Sequence, residues 1–297
     1  MNEKILQLKD AIAKADAVMI GAGAGLSTAA GYVYAGERFD RYFSDFGKRY
    51  GFHDMYSGGF YPYPDMETFW AYWSRNIWIN RYAPIPGDVY DRLLDLVKGK
   101  DYFVITTNVD HCFQRAGFDK RRLFYTQGDY GLFQSANPHG ASARKTYDNK
   151  ETVRAMLLAQ GFEITQNDAL IIPEGRVLSM RVPTELIPRC PDDGGPMTTN
   201  LRSDDRFAED DGWQAAAASY SAWVRAHREA EIVYLEIGVG YNTPGIIKYN
   251  FWQQVYENSR ALYACLNMDG EPAPGEIAER SIVIAGDSAE IIRELVL

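Results

Sequence analysis

Asp16-Ala17-Val18-Met19-Ile20-Gly21-Ala22-Gly23-Ala24-Gly25-Leu26-Ser27 is the stretch that decides the fold. An apolar run without polar alternation suits a strand covered on both faces. Three glycines at alternate positions follow at once. They let the backbone turn sharply and approach a pyrophosphate, and a helix opening behind them offers amides and a positive dipole end. A bare glycine loop serves equally well as a tight strand-to-helix turn, so the rest of the chain has to decide between the two.

Outward from this stretch, further apolar runs of strand length occur at Tyr102–Thr106, Leu123–Thr126, Ile232–Ile237, Ala261–Leu266 and Ser281–Ala285. Helical patterns lie between them. Pro86–Gly99 opens on a proline suited to a first turn and carries the stripe Leu93, Leu94 and Val97. Gly212–Ala230 is alanine-rich, Pro244–Asn258 opens on another proline, and Asp287–Leu297 starts with an N-cap residue. Strands alternating with helices predict an α/β fold with a doubly wound, Rossmann-like parallel sheet. The predicted nucleotide-binding core comprises residues 1–36, 86–139 and 211–297. A helical, aromatic-rich insertion fills 37–85, with Trp70, Trp73 and Trp78. A small module with β-like pieces such as Arg176–Val182 fills 140–210.

Bulk properties set limits on function. The 297 residues are 46% hydrophobic and 24% charged, enough for a large core, and the formal net charge is -9. That balance argues against a nucleic-acid surface, which needs clustered Lys and Arg. The short run Lys120-Arg121-Arg122 reads as a solvated loop. Residues 17–36 carry no charge but contain five glycines with Ser27 and Thr28, a poor membrane span. Met1–Ala15 alternates charged and apolar residues and lacks a leader-type apolar core. Three cysteines without paired spacing fit a reducing compartment, so the expectation is a cytoplasmic chain with no membrane contact.

Further signals follow at successive predicted strand ends. Thr106-Thr107-Asn108-Val109-Asp110 places an amide and a carboxylate two residues apart, where both can address one ribose; equally, Asp110 can cap the helix expected at His111–Ala116. Tyr125-Thr126-Gln127-Gly128-Asp129-Tyr130 comes next. Glu236-Ile237-Gly238-Val239-Gly240-Tyr241-Asn242-Thr243-Pro244 is a second glycine loop. Cys265-Leu266-Asn267-Met268 and Gly286-Asp287-Ser288 complete the series. No acidic residue ends a second strand about 20 residues past the first loop, where a dehydrogenase holds the adenosine ribose, and this weakens a hydride-transfer reading.

In this order these motifs resemble the sirtuin family over nearly the whole chain. GAGAGLSTAAG is similar to its first NAD loop, TTNVD to its Thr-Gln-Asn-Ile-Asp, EIGVGYNTP to its Gly-Thr-Ser loop, LNMDG to its Ile-Asn strand end, and GDSAEIIREL to its C-terminal adenine-side turn. The resemblance implies NAD as co-substrate. It implies NAD contacts at Gly21, Ala22, Gly23, Ala24 and Ser27, at Gly238, Val239, Gly240, Asn242 and Thr243, and at Asn267, Met268 and Ser288.

Departures from the pattern narrow the chemistry. Where the family has its catalytic His-Gly, this chain has Gln127-Gly128, and a glutamine amide cannot act as a base near neutral pH. The usual Asp-x-Leu-His is altered to Asp110-His111-Cys112-Phe113. Surface or capping roles are expected for His53, His111, His139 and His227, with His111 kept open. Of the two zinc-binding Cys-x-x-Cys pairs, Cys190 remains with Asp193 in place of its neighbour, and the other pair is missing. No zinc is therefore expected. Cys112 and Cys265 read as small core residues.

Within the family, this combination is similar to the macrodomain-linked class M sirtuins, which implies a protein mono-ADP-ribosyltransferase. The resemblance carries over Asn108, Asp110 and Gln127 as active-site residues. It implies a lipoylated glycine-cleavage-H-like carrier protein as acceptor, a macrodomain protein as functional partner, and a link to oxidative stress. A deacylase with a recruited base and an NAD sensor without turnover are the alternatives. The aromatic segment Tyr50–Tyr82 reads as core more readily than as an acyl or lipoyl channel.

Overall fold

The computed structural model describes residues 3–241 and 244–297. In chain order its strands are β1 (Ala17–Ala22), β2 (Asp101–Thr106), β3 (Leu123–Tyr125), β4 (Gly128–Ser135), β5 (Thr146–Asp148), β6 (Glu163–Ile164), β7 (Leu170–Ile171), β8 (Met197–Leu201), β9 (Ile232–Ile237), β10 (Leu262–Asn267) and β11 (Ser281–Ala285). The chain forms two compact units. One comprises residues 1–31, 86–127 and 211–297, the other residues 32–85 and 128–210.

The first unit is built on a six-stranded sheet in the order β11-β10-β9-β1-β2-β3, with every neighbouring pair parallel. These are the six runs read from the sequence. The residues of β1, β2 and β9 are almost entirely buried because helices cover both faces. Side chains alternate across the sheet. Ala17, Met19, Phe103, Ile105, Tyr234 and Tyr263 pack with Phe251 and Val255 of the helix Lys248–Glu257, and with Trp213, Tyr220 and Trp223 of the helix Asp211–Ala226. The alternate set, including Val18, Ile20, Val104 and Leu235, faces the opposite side. There the helices Glu3–Lys14, Val89–Val97 and Ser288–Val296 bury Ile5, Leu8, Leu93, Val97, Ile292 and Leu295.

The strand order reverses between β1 and β9, the point where an open parallel sheet leaves a crevice for ligands outside its carboxyl ends. Asp287 caps the last helix as its sequence predicts, accepting from the Ala289 amide at 2.7 Å. The helix expected from Pro244 instead starts at Lys248, with Ile247 at its N-cap. The Pro244 carbonyl accepts from the Tyr249 amide at 3.0 Å, closing a wide turn ahead of the helix.

The second unit holds an antiparallel sheet in the order β5-β4-β8 and the hairpin β6–β7. Arg176–Val182, predicted to be β-like, is irregular. Its amides go elsewhere: Ser179 donates to the Gln160 carbonyl at 2.9 Å and Val182 to that of Glu67 at 3.1 Å. Without a partner strand the segment cannot form a ladder, and Val177 is left 93% exposed. The aromatic-rich segment is core in this unit. Trp70, Tyr72 and Trp78 are fully buried, and Tyr72 packs on Phe43, Phe46 and Tyr63 with ring centroids 4.9, 5.5 and 5.4 Å away. Arg75, also fully buried, is neutralised by Asp45 at 2.8 Å and satisfied by Gln160 and the Ser179 carbonyl. Among the described residues no helix is long and apolar enough to cross a membrane.

Candidate active site

The ends of β1 and β9 meet through glycine. The Gly25 amide donates to the Gly238 carbonyl at 2.9 Å, and the Gly23 amide to that of Ile237 at 3.0 Å. A Cβ on Gly23 would stand 2.6 Å from the Gly238 oxygen, and one on Gly25 2.6 Å from the Gly238 Cα. Gly238 itself has φ +59, and a Cβ there would stand 2.5 Å from the Gly25 Cα. Backbone obstructs in each direction, so all three positions exclude side chains. Gly21 is demanded by packing, since a Cβ would run into Ile247 and the Phe251 ring.

The helix behind the first loop, Ala24–Ala29, has six residues. Its Gly25 amide is engaged by Gly238 and its Leu26 amide by the Gly23 carbonyl at 3.0 Å. The loop thus offers a ligand fewer first-turn amides than a Rossmann helix suggests.

Beside this contact, one strand further out, the end of β2 carries the polar centre. The Thr106 hydroxyl donates to the Ala22 carbonyl at 2.9 Å and accepts from the Asn108 amide at 3.0 Å, which fixes the turn. Asn108 and Asp110 are both buried. The Asn108 Nδ2 donates to the Gly23 carbonyl at 3.0 Å and to the Tyr90 hydroxyl at 3.3 Å. The Tyr90 Oη lies 3.1 Å from the Ser27 Oγ, and Ser27 donates to the Asp110 Oδ2 at 2.5 Å.

Donor rules give these contacts one consistent direction. Nδ2–H points to Oη, Oη–H to Oγ and Oγ–H to the carboxylate. Complete burial, reinforced by the Asp110 charge, raises the Tyr90 phenol well above its ordinary pKa. Tyr90 therefore keeps the proton it donates. With both amide hydrogens engaged, Oδ1 is the amide atom of Asn108 without a protein partner among the described residues, and it is the one that can address a ribose.

Asp110 also fixes the turn that leads into the next helix. Its Oδ1 accepts from the Cys112 amide at 2.9 Å, ahead of the short helix Cys112–Arg115. His111 stands between them in the left-handed region, at φ 64. One Asp110 oxygen thus holds the turn ahead of the helix, and the other closes the chain through Ser27.

Gln127 follows β3, partly buried, its Nε2 donating to the Thr126 hydroxyl at 3.3 Å. Thr126 is tied to β2, its amide and hydroxyl both reaching the Thr106 carbonyl, at 2.9 and 3.1 Å. Asn267 ends β10 and donates to the Val239 carbonyl at 3.1 Å. Val239 and Ser288 are buried, whereas Gly240 and Met268 are exposed. Asn242 and Thr243 lie outside the described residues. Sequence reasoning missed Tyr90, which sits within an ordinary helical stripe, and the Trp213 indole, which donates to the Thr126 carbonyl at 3.2 Å.

At the degenerate zinc position, Cys190 is buried and the turn closes on itself through Cys190 N–H to the Gly195 carbonyl and Gly194 N–H to the Cys190 carbonyl, both at 2.8 Å. The Asp193 carboxylate folds back onto the Gly195 amide at 2.8 Å and accepts from the Ser142 hydroxyl at 3.2 Å. Among the described residues no group of three or more His, Cys, Asp or Glu is gathered as a metal site. Cys112 and Cys265 are buried core residues, as expected. His227 stacks on Trp223 with centroids 4.0 Å apart, and His53 and His139 are exposed.

No protein-family profile matches the chain. It is 36% identical over 296 residues to a protein ADP-ribosyltransferase of Staphylococcus aureus, a match covering 98% of this chain and 88% of that protein. It is 31% identical over 245 residues to a probable bifunctional ADP-ribose hydrolase/ADP-ribosyltransferase of Fusarium oxysporum f. sp. cubense, covering 80% of this chain but 38% of that longer protein. Among solved structures, a Sir2 homolog–NAD complex matches with TM-score 0.56 at 14% identity, covering 98% of this chain and 92% of that one. Sir2 bound to a p53 peptide and NAD+ matches with TM-score 0.56 at 16% identity, covering 99% and 97%. At such identities these two define the fold, and the S. aureus relative defines the family. The chain belongs to the protein ADP-ribosyltransferase family built on the Sir2 fold.

Proposed function

We propose that this protein cleaves the nicotinamide–ribose bond of NAD and transfers the ADP-ribose to a carboxylate of a carrier protein. The observation that carries this reading is the hydrogen-bonded series Asn108–Tyr90–Ser27–Asp110 at the strand-end crevice, with Gln127 where a deacylase needs a base. The fit to NAD rests on the glycine contact at the β1/β9 reversal and on the buried polar groups beside it.

Departure of nicotinamide leaves a ribose carbon with oxocarbenium character. Asn108 presents the negative end of its amide, Oδ1, in an orientation set by two bonds to its nitrogen. Asp110 contributes a buried negative charge close by. Fixed dipoles and charges aimed at a developing cation act strongly in such a site, because they need not reorganise during the reaction. A carboxylate acceptor is anionic at pH 7 and needs no base. An amide at Gln127 can position it by donating a hydrogen bond. An acyl-lysine substrate would need a base to activate a ribose hydroxyl, and Gln127 cannot serve.

NAD is placed across the Gly21–Ser27 loop, with Gly238, Val239 and Asn267 toward its adenosine. The acceptor is a lipoylated carrier of the glycine-cleavage-H type, a reading supported by the likeness to class M sirtuins. The deciding experiment incubates candidate lipoyl-domain proteins with enzyme and NAD, with and without lipoate, and weighs them intact. A mass gain of one ADP-ribose on the lipoylated form alone is expected. Equal labelling of both forms refutes lipoyl dependence, and nicotinamide release with O-acyl-ADP-ribose from acyl-lysine peptides refutes the transferase reading.

A further inference from the structure

Beneath the second glycine loop lies a buried ion pair that the reaction does not use. Glu236 lies on β9, in register with Gly21 of β1 on one side and Cys265 of β10 on the other. Its side chain is 0% exposed and that of Lys248 is 3%, with Nζ 2.6 Å from Oε1. The Tyr263 hydroxyl donates to Oε2 at 2.8 Å, and the Cys265 Sγ lies 3.6 Å from Oε1.

The pair brackets the loop. Glu236 stands two residues before Gly238, and Lys248 is the first residue of the helix that follows the loop. The Lys248 ammonium also faces the rings of Tyr241 and Trp252, with centroids 5.5 and 5.7 Å away. The Tyr241 hydroxyl in turn donates to Glu271, beyond the end of β10. One buried cation thus ties together a strand, a loop and a helix. The core cluster that includes Tyr263 and Cys265 is apolar, with Tyr234, Ile247, Phe251 and Val255. Well-packed apolar residues would hold such a core at least as firmly, because desolvating two charges is costly. What an ion pair adds is a single permitted geometry. Here that geometry bears on Gly238, which already touches the Gly25 backbone.

We infer that Glu236–Lys248 is a positioning pair for NAD binding: it sets how the second glycine loop stands against the first. The inference rests on the placement of NAD proposed above. The test measures NAD affinity calorimetrically, and kcat and KM for NAD, in Lys248→Met, Glu236→Gln/Lys248→Met and Asn267→Ala. Lys248→Met leaves a buried carboxylate alone and is expected to lower Tm. The double variant removes both charges and is expected to recover most of that Tm. In both, Kd and KM for NAD are expected to rise about tenfold, more than kcat falls, the scale of a displaced positioning contact. A double variant with near-wild-type Tm and wild-type Kd reduces the pair to a structural element and overturns the inference. Weakened affinity in Asn267→Ala together with wild-type Kd in the Lys248 variants overturns it as well. Unchanged affinity in Asn267→Ala overturns the NAD placement, and the inference with it.

Discussion

Replacing Tyr90 by Phe removes one oxygen from the middle of the Asn108–Tyr90–Ser27–Asp110 series. Two contacts go, at 3.3 and 3.1 Å. Each neighbour keeps one partner, Asn108 Nδ2 the Gly23 carbonyl at 3.0 Å and Ser27 the Asp110 carboxylate at 2.5 Å, but the second Asn108 N–H loses its acceptor. The stability cost is therefore that of two lost hydrogen bonds with one buried amide hydrogen left unsatisfied, about 2–4 kcal/mol. At about 2–4 °C per kcal/mol, Tm should fall by roughly 4–16 °C. For catalysis, Asn108 stays in place but loses one of two anchors. Transfer should slow about tenfold, equal to about 1.4 kcal/mol of barrier. Asn108→Ala, which removes the dipole itself, should slow it by roughly 100-fold or more. Burial keeps the Tyr90 phenol protonated, so the tenfold ratio should hold from pH 6 to 9. Nicotinamide release followed by mass spectrometry, beside a melting curve, measures both quantities. If Tyr90→Phe is as slow as Asn108→Ala, or if it melts early yet transfers at the wild-type rate, Tyr90 does not orient Asn108.

Asp110→Ala should match the loss in Asn108→Ala, and wild-type enzyme should leave acyl-lysine peptides untouched; efficient deacylation abolished in His111→Ala would make His111 a recruited base. Purified protein should hold no stoichiometric zinc, because one thiolate makes no closed tetrahedral site; elemental analysis finding about one zinc per chain after chelation would contradict this. Gly25→Ala should lower Tm by several degrees and weaken NAD binding, since its Cβ would meet the Gly238 backbone at 2.6 Å; a melting curve and Kd equal to wild type would disprove the contact. Burial raises Tyr90, Tyr234 and Tyr263 above the free phenol value and pushes Tyr220 up to about 12. Their stability contribution is full below pH 10 and lost as pH rises toward the folded values, so Tm should decline above pH 10 in step with tyrosinate absorbance at 295 nm.

The sheet was readable because strands covered on both faces must be apolar along their length, and all six runs show it. The place of Asn108 and Asp110 just past β2 was readable because the apolar run stops at Thr106 and a polar turn follows. Arg176–Val182 misleads for a matching reason: Val177, Leu178, Met180 and Val182 look like strand residues, but a strand exists only beside another, and sequence does not display neighbours. Pro244 misleads because proline suits a wide turn as well as a first helical turn. Tyr90 is hidden in an apolar stripe, and its two partners, Ser27 and Asn108, lie 63 and 18 positions away. Glu236 is visible only as the residue before a glycine loop until the fold brings Lys248 against it.

The meeting of Gly23, Gly25 and Gly238 also bears on how this protein can change over time. Two large side chains in contact can trade volume, one shrinking as the other grows, so substitutions at one site are rescued at the other. Three glycines have no atom left to surrender. An added methyl at any one of them has no compensating change at the other two, and relief can come only by parting the strand ends that form the crevice. Drift at this spot runs in one direction only: the contact can be lost, but not exchanged for an equivalent.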